Sequence, residues 1–296
     1  MSSEVHFLDV GQAHATVAVN AGSALVVDCP RDGVEQAKAL LSRLNLSHFD
    51  VVVTHQDMDH CEGVQGLLQR FGKPSTTLYI NPVGRPKPED KRYVRAVLEG
   101  ILSEVDHLGA STAGAVADTV GNTGSISWSV LAPPHRQLLD APLLANVVNR
   151  LSVVILVRIG SFTFLIPGDI DDKAAGELLD RSAQLSADVF LIPHHGARLK
   201  MIDRLLEAVD PKYAVISAGR RKTHPNVDTL TAVASHNCRL MCTQATRHCH
   251  PGDLADKHCA GTIVFDLRDN SLSVTPSPDD HRERIDQLES PACVQP

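Results

Sequence analysis

The chain has no surplus of positive charge: 28 basic residues face 35 acidic ones, a formal net charge of −7 over 296 residues. That balance excludes a uniformly basic surface for nucleic acid and leaves room only for a local basic patch. No apolar run approaches the roughly 20 residues that a membrane-spanning helix requires, so no span is expected. The opening "MSSEVHFLDV" lacks the charged head and apolar core of a secretory leader, and the expected location is the cytoplasm. Cysteine occurs seven times, an odd number that cannot pair completely. In a reducing compartment these residues would be thiols or metal ligands. There is no short-period repeat, and no linker that would force two independent domains. Residues 1–276 read as one domain, and the polar, proline-flanked 277–296, "SPDDHRERIDQLESPACVQP", reads as a disordered tail.

What is present is a regular alternation. Strand-like runs "VHFLDV", "ATVAVN" and "ALVVDC" precede a helix over about 33–44, the strand "VVVTH", a helix over about 61–71, and "TLYIN". After a proline-rich loop comes the helical pattern "DKRYVRAVLEGILSEVDHL". Small residues at 109–124 break the pattern before "SISWSVLAPP". The second half repeats the style with "LSVVILVRI", "FTFLIPGD", "DVFLIPHHG", "KYAVISAG", "RLMCTQ" and "GTIVFDL", separated by helices over about 172–184, 199–208 and 225–235. Two such halves predict an α/β protein in which sheet packs on sheet with helices outside.

Chemistry-bearing residues collect at the strand ends. "VVVTHQDMDHCEG" leaves an apolar strand and at once presents His55, Asp57, Asp59 and His60 before a helix. In an extended turn His55, Asp57 and Asp59 point the same way, and His60 closes from the side. Imidazole and carboxylate suit zinc, manganese or iron, and four such ligands exceed what one open ion needs, which points to two. The plainer reading is a solvated acidic turn that caps the following helix. "FLIPGDID" puts Asp169 at another strand tip, common turn chemistry by itself. "FLIPHHGA" puts His194 and His195 at a third, facing different sides, so that one would meet a metal and the other a substrate.

These residues resemble a known family. "FLDVGQAHATVAV", "VVDCP", "THQDMDHCEG", "NRLSVVI", "LIPGD", "IPHHGA" and "AVISAG" followed by "HPN" occur in the order expected of the metallo-β-lactamase superfamily. They look most like the hydrolase domain of ComEC-type DNA-uptake proteins and the related phosphorylcholine esterases. The resemblance implies a four-layer αββα sandwich with a two-metal site at the edge shared by the sheets. It implies that His55 and Asp57 bind one ion and Asp59 and His60 the other, that Asp169 bridges, and that His194 or His195 completes the shell. Asp57 stands where the wider superfamily has histidine, which hardens the site and makes manganese a competitor to zinc. Asn149 stands where many members place a further metal-binding histidine. Ala13 and His14 replace the glycine and aspartate usual in the branch, and His14 is expected to cover a strand rather than reach the site. His224 is a candidate last ligand or proton donor.

The expected function is that of a binuclear metal-dependent hydrolase, in which metal-activated water attacks an anionic phosphodiester, nucleic acid being one candidate. Asp57 or Asp59 would orient the nucleophile, and Asn149, His195 and His224 are further candidate catalytic residues. An ester, lactone or thioester hydrolase of the same fold is the alternative, and a metal-binding regulatory module with little turnover is a third. Within 238–260, Cys242, Cys249, His250 and Cys259 form a candidate structural zinc site at spacings that fit no standard finger. "GRRK" at 219–222 offers three cations near His224, a candidate phosphate contact.

Overall fold

A computed structural model describes residues 3–81, 92–140, 147–181, 184–219, 224–246 and 261–276. The chain begins with strands β1 (Ser3–Phe7), β2 (Thr16–Asn20) and β3 (Ser23–Val27), then helix α1 (Val34–Leu41). Next come β4 (His48–Val53), a single turn α2 (Met58–Cys61), α3 (Val64–Phe71), β5 (Thr77–Ile80), α4 (Arg92–Leu108) and β6 (Ser111–Gly114). Then follow β7 (Val120–Thr123), β8 (Ile126–Ala132), the short α5 (His135–Asp140) and α6 (Val147–Arg150), β9 (Val154–Ile159), β10 (Phe162–Ile166) and α7 (Asp172–Asp180). The chain continues with β11 (Val189–Leu191), α8 (Ile202–Val209), β12 (Tyr213–Ile216), α9 (Val227–Ser235), β13 (Arg239–Cys242), β14 (Ile263–Asp266) and β15 (Ser273–Thr275).

Among the described residues the strands form an eight-stranded sheet, β15-β14-β1-β2-β3-β4-β5-β6, and a seven-stranded one, β13-β12-β11-β10-β9-β8-β7. Side-chain alternation decides how they stack. In β4, Val52 joins a cluster with Val5, Phe7, Ile155, Phe164, Ile166 and Leu191, which draws on both sheets. Its neighbours Val51 and Val53 point the other way, onto Leu41, Leu67, Leu68 and Ile101 of the helices outside the first sheet. In β10, Phe164 and Ile166 face the first sheet, while Leu165 packs with Leu178, Leu206 and Val233 of the helices outside the second. The result is the expected αββα sandwich.

The helices follow from their spacing. In α8, Ile202, Leu205, Leu206 and Val209 recur at three- and four-residue intervals and are all buried, which gives the helix one core-facing stripe. Truncation of Leu206 to alanine would cost about 2–5 kcal/mol. The Asp171 carboxylate accepts the amides of Lys173 and Ala174 to start α7, and it also takes the Arg150 guanidinium at 2.9 Å.

The sequence reading differs from the structure at 109–124, where small and polar residues were expected to break the pattern. β6 and β7 lie there, each at one end of its sheet in the described residues. Most of their side chains are exposed, so backbone pairing and not apolar alternation holds them. The proline-rich 82–90 and the tail 277–296 lie outside the described residues.

Candidate metal centre

Three loops at one edge of the sandwich bring the sequence candidates together. β4 runs into Thr54 and His55, and Asp57 then opens α2, which carries Asp59 and His60. Asp57 is the N-cap residue, yet its side chain caps no amide of the helix. Its carboxylate lies instead 3.6 Å from His55 Nε2, which sets aside the plain helix-cap reading. β10 ends at a turn through Gly168, whose φ of +57° favours glycine; a Cβ there would stand 2.9 Å from the Thr54 Cβ. That turn delivers Asp169. β11 leads through Ile192 to Pro193, and His194 and His195 follow with φ of 52° and 53°. Two consecutive non-glycine residues in the left-handed region are held at about 1–2 kcal/mol each. The surrounding bonds fix them: the His194 amide donates to the Gly168 carbonyl, and His195 Nδ1 donates to the Ser217 carbonyl at 3.2 Å.

The separations distinguish two kinds of contact. His60 Nε2 stands 3.4 Å from Asp169 Oδ1; His194 Nε2 and His195 Nε2 each stand 3.7 Å from Asp169 Oδ2; His55 Nε2 is 3.9 Å from it, and His195 Nε2 is 3.8 Å from Asp59 Oδ2. All exceed a hydrogen bond. They match the edges of a coordination shell, because two ligands each about 2.1 Å from one tetrahedral ion are about 3.4 Å apart, and farther at wider angles. The Nε2 atoms of His55, His60 and His195 are buried without a hydrogen-bond partner. Orphaned buried nitrogens aimed at one carboxylate fit a divalent cation. His55, His60 and Asp169 form one group with ligand atoms in mutual reach, and Asp59, His60 and His195 another.

Behind them, contacts shorten to hydrogen-bond length. Asp28, fully buried at φ 59°, follows β3. Its Oδ2 accepts from His60 Nδ1 at 2.7 Å, from His14 Nδ1 at 2.9 Å and from the Thr54 hydroxyl at 2.6 Å, while Oδ1 accepts the Thr54 amide at 2.7 Å. A carboxylate holding Nδ1–H leaves Nε2 with its lone pair turned to the centre, the arrangement that orients metal-binding histidines. His55 Nδ1 is similarly placed 3.1 Å from the Ser152 hydroxyl.

Charge is arranged to match. Burial alone would raise the Asp169 carboxyl, but His60 and then His195 outweigh it and hold it well below the usual carboxylate range. Burial opposes charge on His60, and Asp169 and Asp28 override it, so that its pKa lies well above the ordinary histidine value. Burial pushes His195 down to about 4, against the pull of Asp169. In the metal-free chain His195 is therefore neutral at neutral pH, while a proton on His60 offsets the carboxylates; a cation at the centre would take the place of that proton at Nε2.

Outside this buried group, Asp57 is 54% exposed and His194 33% exposed at the side chain. His224 lies against His194 with ring centres 5.2 Å apart and planes tilted by 53°. Asn149 lies in α6, and its carbonyl accepts the Ser152 amide. His14 differs from expectation: it is buried and bonded to Asp28 within the site, because the turn before β2 folds inward against α2. Asp28 is a site residue that the histidine- and aspartate-rich motifs do not include; its signal in the sequence is that "VVDCP" ends an apolar strand on an aspartate just as "LIPGD" does. Cys242 is buried at the end of β13. Cys249, His250 and Cys259 lie outside the described residues, as do the three cations of "GRRK". Beside Asp59 opens a groove of about 870 Å3 lined by Asp9, Gln12, Arg31, Asp32, Glu62 and Gln244 among others.

No family model matches the chain. It is similar to ComE operon protein 3 of Bacillus subtilis, 26% identical over 195 residues that make up 65% of this chain and 23% of that protein. It is 25% identical to Competence protein ComA of Neisseria gonorrhoeae over 79% of this chain and 30% of that one. With Recombination protein 2 of Haemophilus influenzae it shares 27% identity over 73% of this chain and 24% of that one. The chain thus spans between 23% and 30% of the length of these relatives. Among solved structures it is similar to the metallo-β-lactamase fold protein YhfI of Bacillus subtilis, with a TM-score of 0.53 and 12% identity, over 81% of this chain and 96% of that one. A mutant of the CmlA β-hydroxylase gives a TM-score of 0.50 at 15% identity, over 81% of this chain and 52% of that one. At these identities the likeness is one of fold.

Proposed function

We propose that this chain, a metallo-β-lactamase-fold protein similar to ComEC-type competence proteins, is a binuclear metal-dependent hydrolase that cleaves a phosphodiester, with nucleic acid as one candidate. The observation that carries the reading is the convergence of three unpartnered, buried imidazole nitrogens and the Asp169 carboxylate at coordination-edge separations. His55, Asp57 and Asp169 are assigned to one ion; Asp59, His60, Asp169 and His195 to the other, with Asp169 shared. Of the adjacent histidines, buried His195 is assigned as the ligand and half-exposed His194 to the substrate side. When bound, two divalent cations supply a lowered water pKa, from ~15.7 toward ~7, and positive charge for the developing anion. Zinc suits the imidazole-rich second set, and the carboxylate at 57 keeps manganese in competition at the first.

The residues of the chain do the rest. Asp57, exposed beside the centre, orients the attacking water. His194 and His224, paired at the open side, hold the substrate oxygen or return a proton to the leaving group. Asp28 and Ser152 keep His60 and His55 turned inward.

A second reading, hydrolysis of an ester, lactone or thioester, draws on the groove beside Asp59. Among the described residues lining it, Arg31, 3.7 Å from Glu62, is the one cation beside Asp9, Asp32, Asp59 and Glu62, so a polyanion would meet carboxylates. Assay of the zinc- or manganese-loaded protein on bis-p-nitrophenyl phosphate, a p-nitrophenyl ester and a lactone tests both. Turnover of the phosphodiester is expected. Turnover of the ester or lactone alone gives the second reading, and a metal-loaded protein inert on all three is the regulatory module. Metal analysis of the same sample counts the ions: two for this centre, three if Cys242, Cys249, His250 and Cys259 hold a structural zinc.

A further inference from the structure

We propose that His14 is a positioning residue for the metal centre: its imidazole fixes Asp28 and through it His60, while its backbone amide fixes Asp59. The inference rests on the assignment of Asp59, His60, Asp169 and His195 to one ion.

His14, Asp28 and His60 have ligand-type atoms within mutual reach, as a metal group would. Their separations of 2.7 and 2.9 Å fall short of the ~3.4 Å between two ligands of a tetrahedral ion and are right for N–H···O bonds. The other nitrogen of His14 is also engaged, Nε2 lying 2.8 Å from the Thr16 hydroxyl. With both nitrogens occupied and the residue 2% exposed, His14 has no lone pair to offer the centre. It serves by holding Asp28, a buried carboxylate on which two imidazoles and one hydroxyl converge at a single oxygen.

The backbone around it completes the linkage. The His14 amide donates to the Asp59 carbonyl at 3.0 Å. One residue earlier, the Ala13 carbonyl accepts the Ser217 hydroxyl at 2.6 Å, and Ser217 in turn receives His195 Nδ1. Residues 13 and 14 therefore touch the supports of Asp59 and His60 from the first sheet and of His195 from the second. The arm toward His60 exists only because position 14 carries a side chain that donates to Asp28.

Three substitutions in the full chain separate this arm from packing. His14→Asn places an amide N–H near the Nδ1 position, His14→Gln carries its amide out to the Nε2 position, and His14→Leu keeps bulk without a donor. Zinc affinity is read by competition with a chromophoric chelator near pH 7.5, with thermal melts as the check on folding. The expected result is that Leu and Gln weaken one of the two ions by about 10- to 100-fold while Asn holds both within roughly threefold of wild type. Leu holding both ions like wild type overturns the proposal, and so does Asn failing as badly as Leu, which would leave only packing. If the Leu variant does not fold, Asn against Gln carries the test, and equal affinities in that pair overturn the proposal. A wild-type chain that takes up no zinc would instead remove the metal assignment, and this inference with it.

Discussion

The two sheets contribute to the centre in different ways. The first supplies His55, Asp57, Asp59 and His60 from one turn of contiguous sequence, braced by Asp28 at the neighbouring strand end. The second supplies Asp169, His194 and His195 from two separate strand ends, and there the backbone itself is bent: Gly168, His194 and His195 are all left-handed. Local chain direction dictates the first half. The second exists only once β10 and β11 lie side by side, as Phe164 pairs with Val189 and Leu165 with Phe190. The difference teaches that one half can be recognised by spacing, whereas the other is made by topology; left-handed backbone serves both, at Asp28 in the first and at His194 and His195 in the second.

The sharpest way to break the comparison is Asp169→Ala, since among the described residues Asp169 is the second-sheet carboxylate within 4 Å of imidazoles from both halves. Loss of both ions is expected, with activity down by about a thousandfold or more, roughly 4 kcal/mol of barrier, and the circular dichroism of the fold kept. Two ions retained by the variant would show that the halves bind independently.

Next in size is Asp28→Asn, which keeps volume but removes the charge that the first half leans on. Metal affinity should fall by about 10- to 100-fold. Denaturant melts should show a loss of about 1–3 kcal/mol, as buried donors lose their acceptor. A variant equal to wild type in both would make the brace dispensable.

The strain in the second half is tested by a pair. His194→Gly should stabilise the chain by about 1 kcal/mol through relief of its left-handed backbone, with both ions retained. His195→Gly gains the same relief and should lose an ion. Metal retained in His195→Gly but lost in His194→Gly would exchange the roles of the two histidines.

The smallest effect is on pH dependence. His60, raised in the folded state, stabilises fully below the unfolded value of ~6.5 and loses that contribution as pH rises through its folded value. His195, pushed down to about 4, acts oppositely, so stability falls as pH drops below ~6.5. From these two groups the metal-free chain should be most stable near pH ~6.5. With zinc bound, His60 must be neutral, and stability should keep rising above that pH. Melting temperatures from pH 5 to 9, with chelator and with zinc, give the two curves; a zinc curve that turns down with the metal-free one would deny His60 a ligand role.

What could be read in the sequence follows the same division. The sheets announced themselves through apolar runs, and the first-sheet motif through histidine and aspartate packed into six positions. β6 and β7 escaped because "STAG" and "VGNT" lack an apolar alternation. The roles of Asp28 and His14 were hidden for another reason: their partners are 32 and 14 positions away, and a strand-end aspartate such as that of "VVDCP" does not show that two imidazoles will enclose it. His194 and His195 were visible as a pair, but which of them turns inward was decided by a backbone conformation that residue type alone disfavours.

Val52, Ile166 and Leu191 are the last inward-facing residues before the three turns that carry the histidines and aspartates, and they meet in one cluster between the sheets. These groups thus rest on a floor of apolar side chains, tied to the site through the backbone where the Asp28 amide donates to the Val52 carbonyl. Any change in the thickness of that floor would spread or squeeze the ligands like the jaws of a clamp. A methyl group removed there, as in Ile166→Val, would therefore alter the spacing of these groups as well as cost about 0.5–1.5 kcal/mol of stability.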